Sequence, residues 1–129
     1  MTKIILSISG SNLDKMDVIG SSDPFVVGCI DGKTEVLKTN VIKNNINPDW
    51  ENVCLDFDKL NNDRDKMITF SVYDWDRGSK NDLIGTFKAS VNDIVGKKTF
   101  DIINTEKKQK KGSKYVNSGV ITFNKIEFN

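Results

Sequence analysis

The sequence predicts an all-β fold, an eight-stranded antiparallel Greek-key β-sandwich. Three observations lead there. Apolar and polar residues alternate over short runs, the period of a half-buried strand. Gly, Asn, Asp and Ser clusters separate the runs at intervals that suit a sandwich. No window of about a dozen residues carries a convincing helical period.

Residues 3–9 place Ile4, Leu6 and Ile8 on one face of a first strand. The second strand, residues 24–30, places Phe25, Val27 and Cys29 together. Residues 34–43 carry Val36, Val41 and Ile42 in a mixed pattern, as a twisted or edge strand does. Residues 52–58 alternate, with Val53, Leu55 and Phe57 inward and Cys54, Asp56 and Asp58 outward. Residues 67–73 turn Ile68, Phe70 and Val72 inward. Residues 82–90 carry Leu83, Ile84, Phe87 and Ala89, and residues 98–103 carry Phe100 and Ile102. A single helical turn fits between them at residues 91–95, with Ser90 as its cap. The last strand, residues 119–128, carries Ile121 and Phe123, then Ile126 and Phe128. That change of phase predicts a bulge near Asn124.

At 129 residues the chain is expected to be one domain, residues 1–129. Charged residues make up 29%, yet the formal net charge is only +1, which argues against a nucleic-acid partner. There is no histidine, so the usual general base and nucleophile pairs are missing and an enzyme is not expected. Cys29 and Cys54 lie in strand runs with no metal spacing and are expected to be buried free thiols. Reduced thiols suit a cytoplasmic protein. No segment reads as a signal peptide or a membrane span, so any membrane contact is expected to be peripheral.

If consecutive strands alternate in direction, the loops at 17–23, 44–50, 74–82 and 105–118 share one end. Two of these loops hold Asp17, Asp23, Asp74, Asp76 and Asp82. The last holds Lys107, Lys108, Lys110, Lys111 and Lys114. Two like charges about 4 Å apart repel by roughly 4 kcal/mol at an effective dielectric of ~20. A hard, oxygen-seeking cation relieves that repulsion, and Ca2+ fits best. An EF-hand loop is excluded: its sixth position would be Ser79, its twelfth Gly85, and strands flank it.

Across almost its whole length the sequence resembles the C2 domains of synaptotagmins, conventional protein kinases C, copines and ferlins. The matching segments are Asn12-Leu13, Asp17 with residues 20–25 (Gly-Ser-Ser-Asp-Pro-Phe), Lys38-Thr39, residues 46–52, residues 73–76 (Tyr-Asp-Trp-Asp) and residues 81–85 (Asn-Asp-Leu-Ile-Gly). The resemblance implies that Asp17, Asp23, Asp74, Asp76 and Asp82 hold two or three Ca2+ ions. It also implies that the carbonyls of Met16, Trp75 and Lys80 are ligands, and that the Ser79 side chain helps to hold a further ion. The strand order looks like the circularly permuted, type II arrangement, with both termini away from the calcium end.

The implied function is Ca2+-dependent binding to an anionic phospholipid surface containing phosphatidylserine or phosphoinositide. Bound ions cancel the aspartates, and the basic residues then dominate that end. Val18 and Ile19, at the tip of the first loop, are expected to reach the headgroups. Arg77, Lys80, Lys107, Lys108, Lys110 and Lys111 are expected to meet lipid charge. Lys33, Lys38 and Lys43 read as ordinary solvated lysines, and Trp50 and Trp75 as packing at the loop bases. The expected state is a monomer recruited from the cytoplasm to the plasma membrane or another anionic intracellular membrane. The alternative is a calcium-regulated adaptor that binds protein partners with weak or no lipid binding.

Overall fold

A computed structural model describes residues 3–15, 22–78 and 80–129. Its strands are β1 (Ile4–Ser11), β2 (Pro24–Ile30), β3 (Thr34–Lys38), β4 (Val53–Leu55), β5 (Ile68–Asp74), β6 (Asp82–Ala89), β7 (Thr99–Asp101) and β8 (Val120–Phe128). Two short helices interrupt them, α1 (Val91–Gly96) and α2 (Thr105–Lys111). The strands form two four-stranded sheets, ordered β4-β1-β8-β7 and β3-β2-β5-β6. Every pairing is antiparallel.

The inward faces follow the alternation. Ile4, Leu6 and Ile8 of β1 are fully buried, as are Ile68, Phe70 and Val72 of β5. Phe123 of one sheet meets Phe70 and Phe87 of the other edge-on, with ring centroids 5.5 and 6.2 Å away. Phe87 in turn stacks on Phe100 at 5.0 Å. This aromatic cluster joins the two layers.

Strand β2 reverses the expected choice of face. Phe25, Val27 and Cys29 do share a face, but it is the outer one, and Val26, Gly28 and Ile30 point into the sandwich. The run is apolar on both parities, so alternation alone does not choose between them. Phe25 is still buried, because Tyr73 stacks on it at 5.6 Å and the Lys38 ammonium lies over its ring.

The third strand ends at Lys38 rather than residue 43. Thr39 takes over both hydrogen bonds to Val26, donating its N–H to the Val26 carbonyl and accepting the Val26 N–H on its hydroxyl. Strand β4 is also shorter than expected. Its continuation becomes a 3-10 turn, Phe57–Leu60, whose Lys59 N–H is capped by the Asp56 carboxylate.

The expected bulge is present. Ser7 pairs with Lys125 and Ile8 with Phe123, which leaves Asn124 as the extra residue. Helix α1 is the expected single turn at 91–95, carried one residue further. Ser90 and Asp93 cap each other's backbone in a capping box.

Helix α2 corrects the reading of 105–118 as a loop. No residue of α2 is buried, so it has no apolar period to detect. The signals it does carry are an Asn104 cap, a run of helix-forming Glu, Lys and Gln, and Gly112 at the stop.

Both cysteines are free thiols, but neither is buried: Cys29 is half-buried and Cys54 exposed. Burial, and then the nearby Glu35 carboxylate, pushes the Cys29 thiol up from its ordinary range.

Candidate functional site

Strand pairing brings the acidic loops to one end. Pro24 pairs with Asp74, and Asp74 pairs with Asp82, so the start of β2, the end of β5 and the start of β6 lie side by side. At the opposite end Lys3 and Asn129 exchange both backbone hydrogen bonds.

Asp74 is 1% exposed, and its Oδ1 accepts the Asp23 N–H at 2.8 Å. The Asp23 carboxylate accepts the Asn44 N–H at 2.8 Å, and its carbonyl accepts the Trp75 N–H at 2.9 Å. These bonds lock the second and third acidic positions to the segment after β3. Asp76 and Asp82 are exposed. The Asn81 side chain accepts the Asp76 N–H and closes the turn between those two aspartates. Gly78 sits in that turn at φ +109°, a conformation side chains disfavour.

Trp50 is buried, and its indole N–H donates to the Pro24 carbonyl at 3.0 Å. Trp75 is half-buried with the Lys43 ammonium 5.8 Å above its ring. Arg77 and Lys80 are exposed in the turn between Asp76 and Asp82.

Met16, Asp17, Val18, Ile19 and Ser79 lie outside the described residues. Among the described residues no three carboxylates or thiols stand close enough to hold one metal ion. The donor chemistry still fits a hard cation. Asp23, Asp74, Asp76 and Asp82 offer only oxygen, and no thiol stands among them. Among the described residues no lysine or arginine forms an ion pair with Asp23, Asp76 or Asp82.

Helix α2 stands at this same end. Asn104 accepts the Lys107 N–H, donates its side-chain amide to the Leu83 carbonyl beside Asp82, and donates its own N–H to the Tyr115 hydroxyl. Lys108, Lys110 and Lys111 are exposed. Lys107 differs, because its ammonium meets the Asp14 carboxylate at 2.6 Å. Lys110 lies 3.4 Å from Glu106 one turn earlier. The asparagines Asn44, Asn81 and Asn104 order this end, and Asn44 and Asn104 escaped the sequence reading, as did the role of Asp14. An Asn before a run of helix formers was the one legible signal, at Asn104.

The C2 domain family model matches residues 4–116. Copine-D of Dictyostelium discoideum is 40% identical over 123 residues, covering 93% of this chain and 23% of the relative. The chain thus spans less than a quarter of the length of that relative. Among solved structures, BON1-C2B superposes with a TM-score of 0.79 at 22% identity, covering 99% of this chain and 92% of that one. A C2 domain of plant Extended Synaptotagmin 1 superposes with a TM-score of 0.66 at 20% identity, covering 98% and 91%. The fold is therefore the antiparallel β-sandwich of those C2 domains. The chain belongs to the C2 domain family. No helix among the described residues is long and apolar enough to cross a membrane.

Proposed function

We propose that this C2 domain binds anionic phospholipid surfaces in response to Ca2+. One observation carries the reading: the aspartate-bearing ends of β2, β5 and β6 are adjacent in register, and the lysine helix α2 borders them at Leu83. Asp23, Asp74, Asp76 and Asp82, with Asp17 from the first loop, are the residues that would hold two or three ions. The carbonyls of Met16, Trp75 and Lys80 and the Ser79 hydroxyl would complete the set. Bound there, Ca2+ supplies positive charge and coordination positions that lipid oxygens can fill.

The chain's own residues do the rest. The Asp23–Asp74 hydrogen bond and the Asn44 contact hold two carboxylates in place before any ion arrives. Arg77, Lys80, Lys108, Lys110 and Lys111 present positive charge at the same end, each contributing roughly 1 kcal/mol near an anionic surface. Val18 and Ile19 add an aliphatic contact at the headgroup level. The polar turn of Arg77 and Gly78 favours electrostatic contact over deep insertion.

Sedimentation with phosphatidylserine vesicles tests this directly. Pelleting with Ca2+ and release with chelator are expected. Calcium heat in calorimetry without pelleting would instead favour the calcium-regulated protein adaptor. No heat and no pelleting would remove both.

A further inference from the structure

Lys107 is expected among the lysines that meet lipid, and in the structure its ammonium pairs with a carboxylate of the protein itself. Its partner Asp14 makes three connections to three segments. The Asp14 N–H donates to the Ser118 carbonyl before β8 at 3.0 Å. Its carbonyl accepts the Ser22 hydroxyl at 2.8 Å, across the base of the first acidic loop. Its carboxylate binds Lys107 of α2 at 2.6 Å, with the two side chains only 23% and 34% exposed.

Leu13, the residue before Asp14, is 2% exposed and donates its N–H to the Ile46 carbonyl. Gly119 makes room for it. A Cβ there would stand 2.7 Å from a Leu13 methyl, and the φ of +130° disfavours any side chain.

Helix α2 needs such a tie. It is two turns long and buries no side chain, and isolated helices that short do not persist in water. We propose that Asp14 and Lys107 form a clasp that fixes α2 to the root of the first acidic loop. Lys107 is then a positioning residue, and the lysines of α2 that meet lipid are Lys108, Lys110 and Lys111. The lipid half of this inference rests on the function proposed above. The clasp itself does not.

The sign of one substitution separates clasp from lipid contact. Asp14→Asn removes a negative charge from the membrane-facing end and releases Lys107. If Lys107 touched lipid, binding would hold or strengthen. The clasp predicts the reverse. Asp14→Asn and Lys107→Met should each weaken Ca2+-dependent binding to phosphatidylserine vesicles by about three- to five-fold, the scale of a partly exposed ion pair. Both should speed amide hydrogen exchange across residues 105–111. The reversed pair, Asp14→Lys with Lys107→Asp, should restore binding and protection together, and it controls for loss of folding. Unchanged or tighter binding by Asp14→Asn, or failure of the reversed pair to restore protection, overturns the proposal. If the unaltered chain does not pellet, the lipid reading fails by itself. The exchange experiment then decides the clasp, with faster exchange supporting it and unchanged exchange ending it.

Discussion

Asp74 is the acidic residue most tightly built into the fold. It is buried at the end of β5 and accepts the Asp23 N–H. Asn at this position keeps an oxygen for that bond and loses the charge. Asp74→Asn should therefore abolish the Ca2+ heat seen by calorimetry while the melting temperature changes by only a few degrees. A large Ca2+ heat in that variant would place the ion elsewhere.

The cysteines make a second case at this scale. Cys54 is exposed; Cys29 is half-buried, with its pKa raised by burial and then by Glu35. A thiol reagent at neutral pH should modify Cys54 first and Cys29 much more slowly, read by mass spectrometry of peptides. The folded chain holds the Cys29 proton longer than the unfolded chain. Its linkage therefore costs stability only as pH rises past the ordinary thiol range.

At the scale of elements, legibility depended on whether an element buries anything. Strands β1 and β5 were readable because every second residue enters the core. Helix α1 was readable from Ser90 and its two buried residues, Val91 and Ile94. Its capping box is a separable contribution. Ser90→Ala should cost about 1 kcal/mol, lowering the melting temperature by roughly 3–5 °C in thermal denaturation. Helix α2 was not readable from periodicity, because it rests on polar ties through Asn104, Lys107 and Tyr115 instead of an apolar stripe. Strand β2 shows the opposite limit: with apolar residues on both faces, its pattern cannot say which is inward.

At the scale of the molecule, Phe123 ties the layers together. It belongs to the sheet of β1 and β8 and packs against Phe70 and Phe87 of the other sheet, with 2% of its surface exposed. Truncation leaves a cavity between the sheets. Phe123→Ala should cost about 3–5 kcal/mol, measured as a lower urea midpoint. That is a large share of the ~5–15 kcal/mol that typical domains possess. A shift of less than about 1 kcal/mol would mean that the aromatic cluster collapses to fill the space.

Strand number, the bulge at Asn124 and the shared end of the acidic and basic segments were all decided by the sequence. Alternation and phase change are local properties that the chain carries along its length, and the shared end follows once consecutive strands alternate in direction. The class of ion that the proposed function calls for also follows from side-chain chemistry alone, since aspartates without histidine suit a hard cation. Tertiary structure decided which face of β2 turns inward, that residues 105–111 coil into a helix, and that Lys107 is bound to Asp14. These depend on partners 93 positions apart in the chain or on competition between two apolar faces. Neither leaves a periodic trace, because the energy that settles them exists only once the sheets have met.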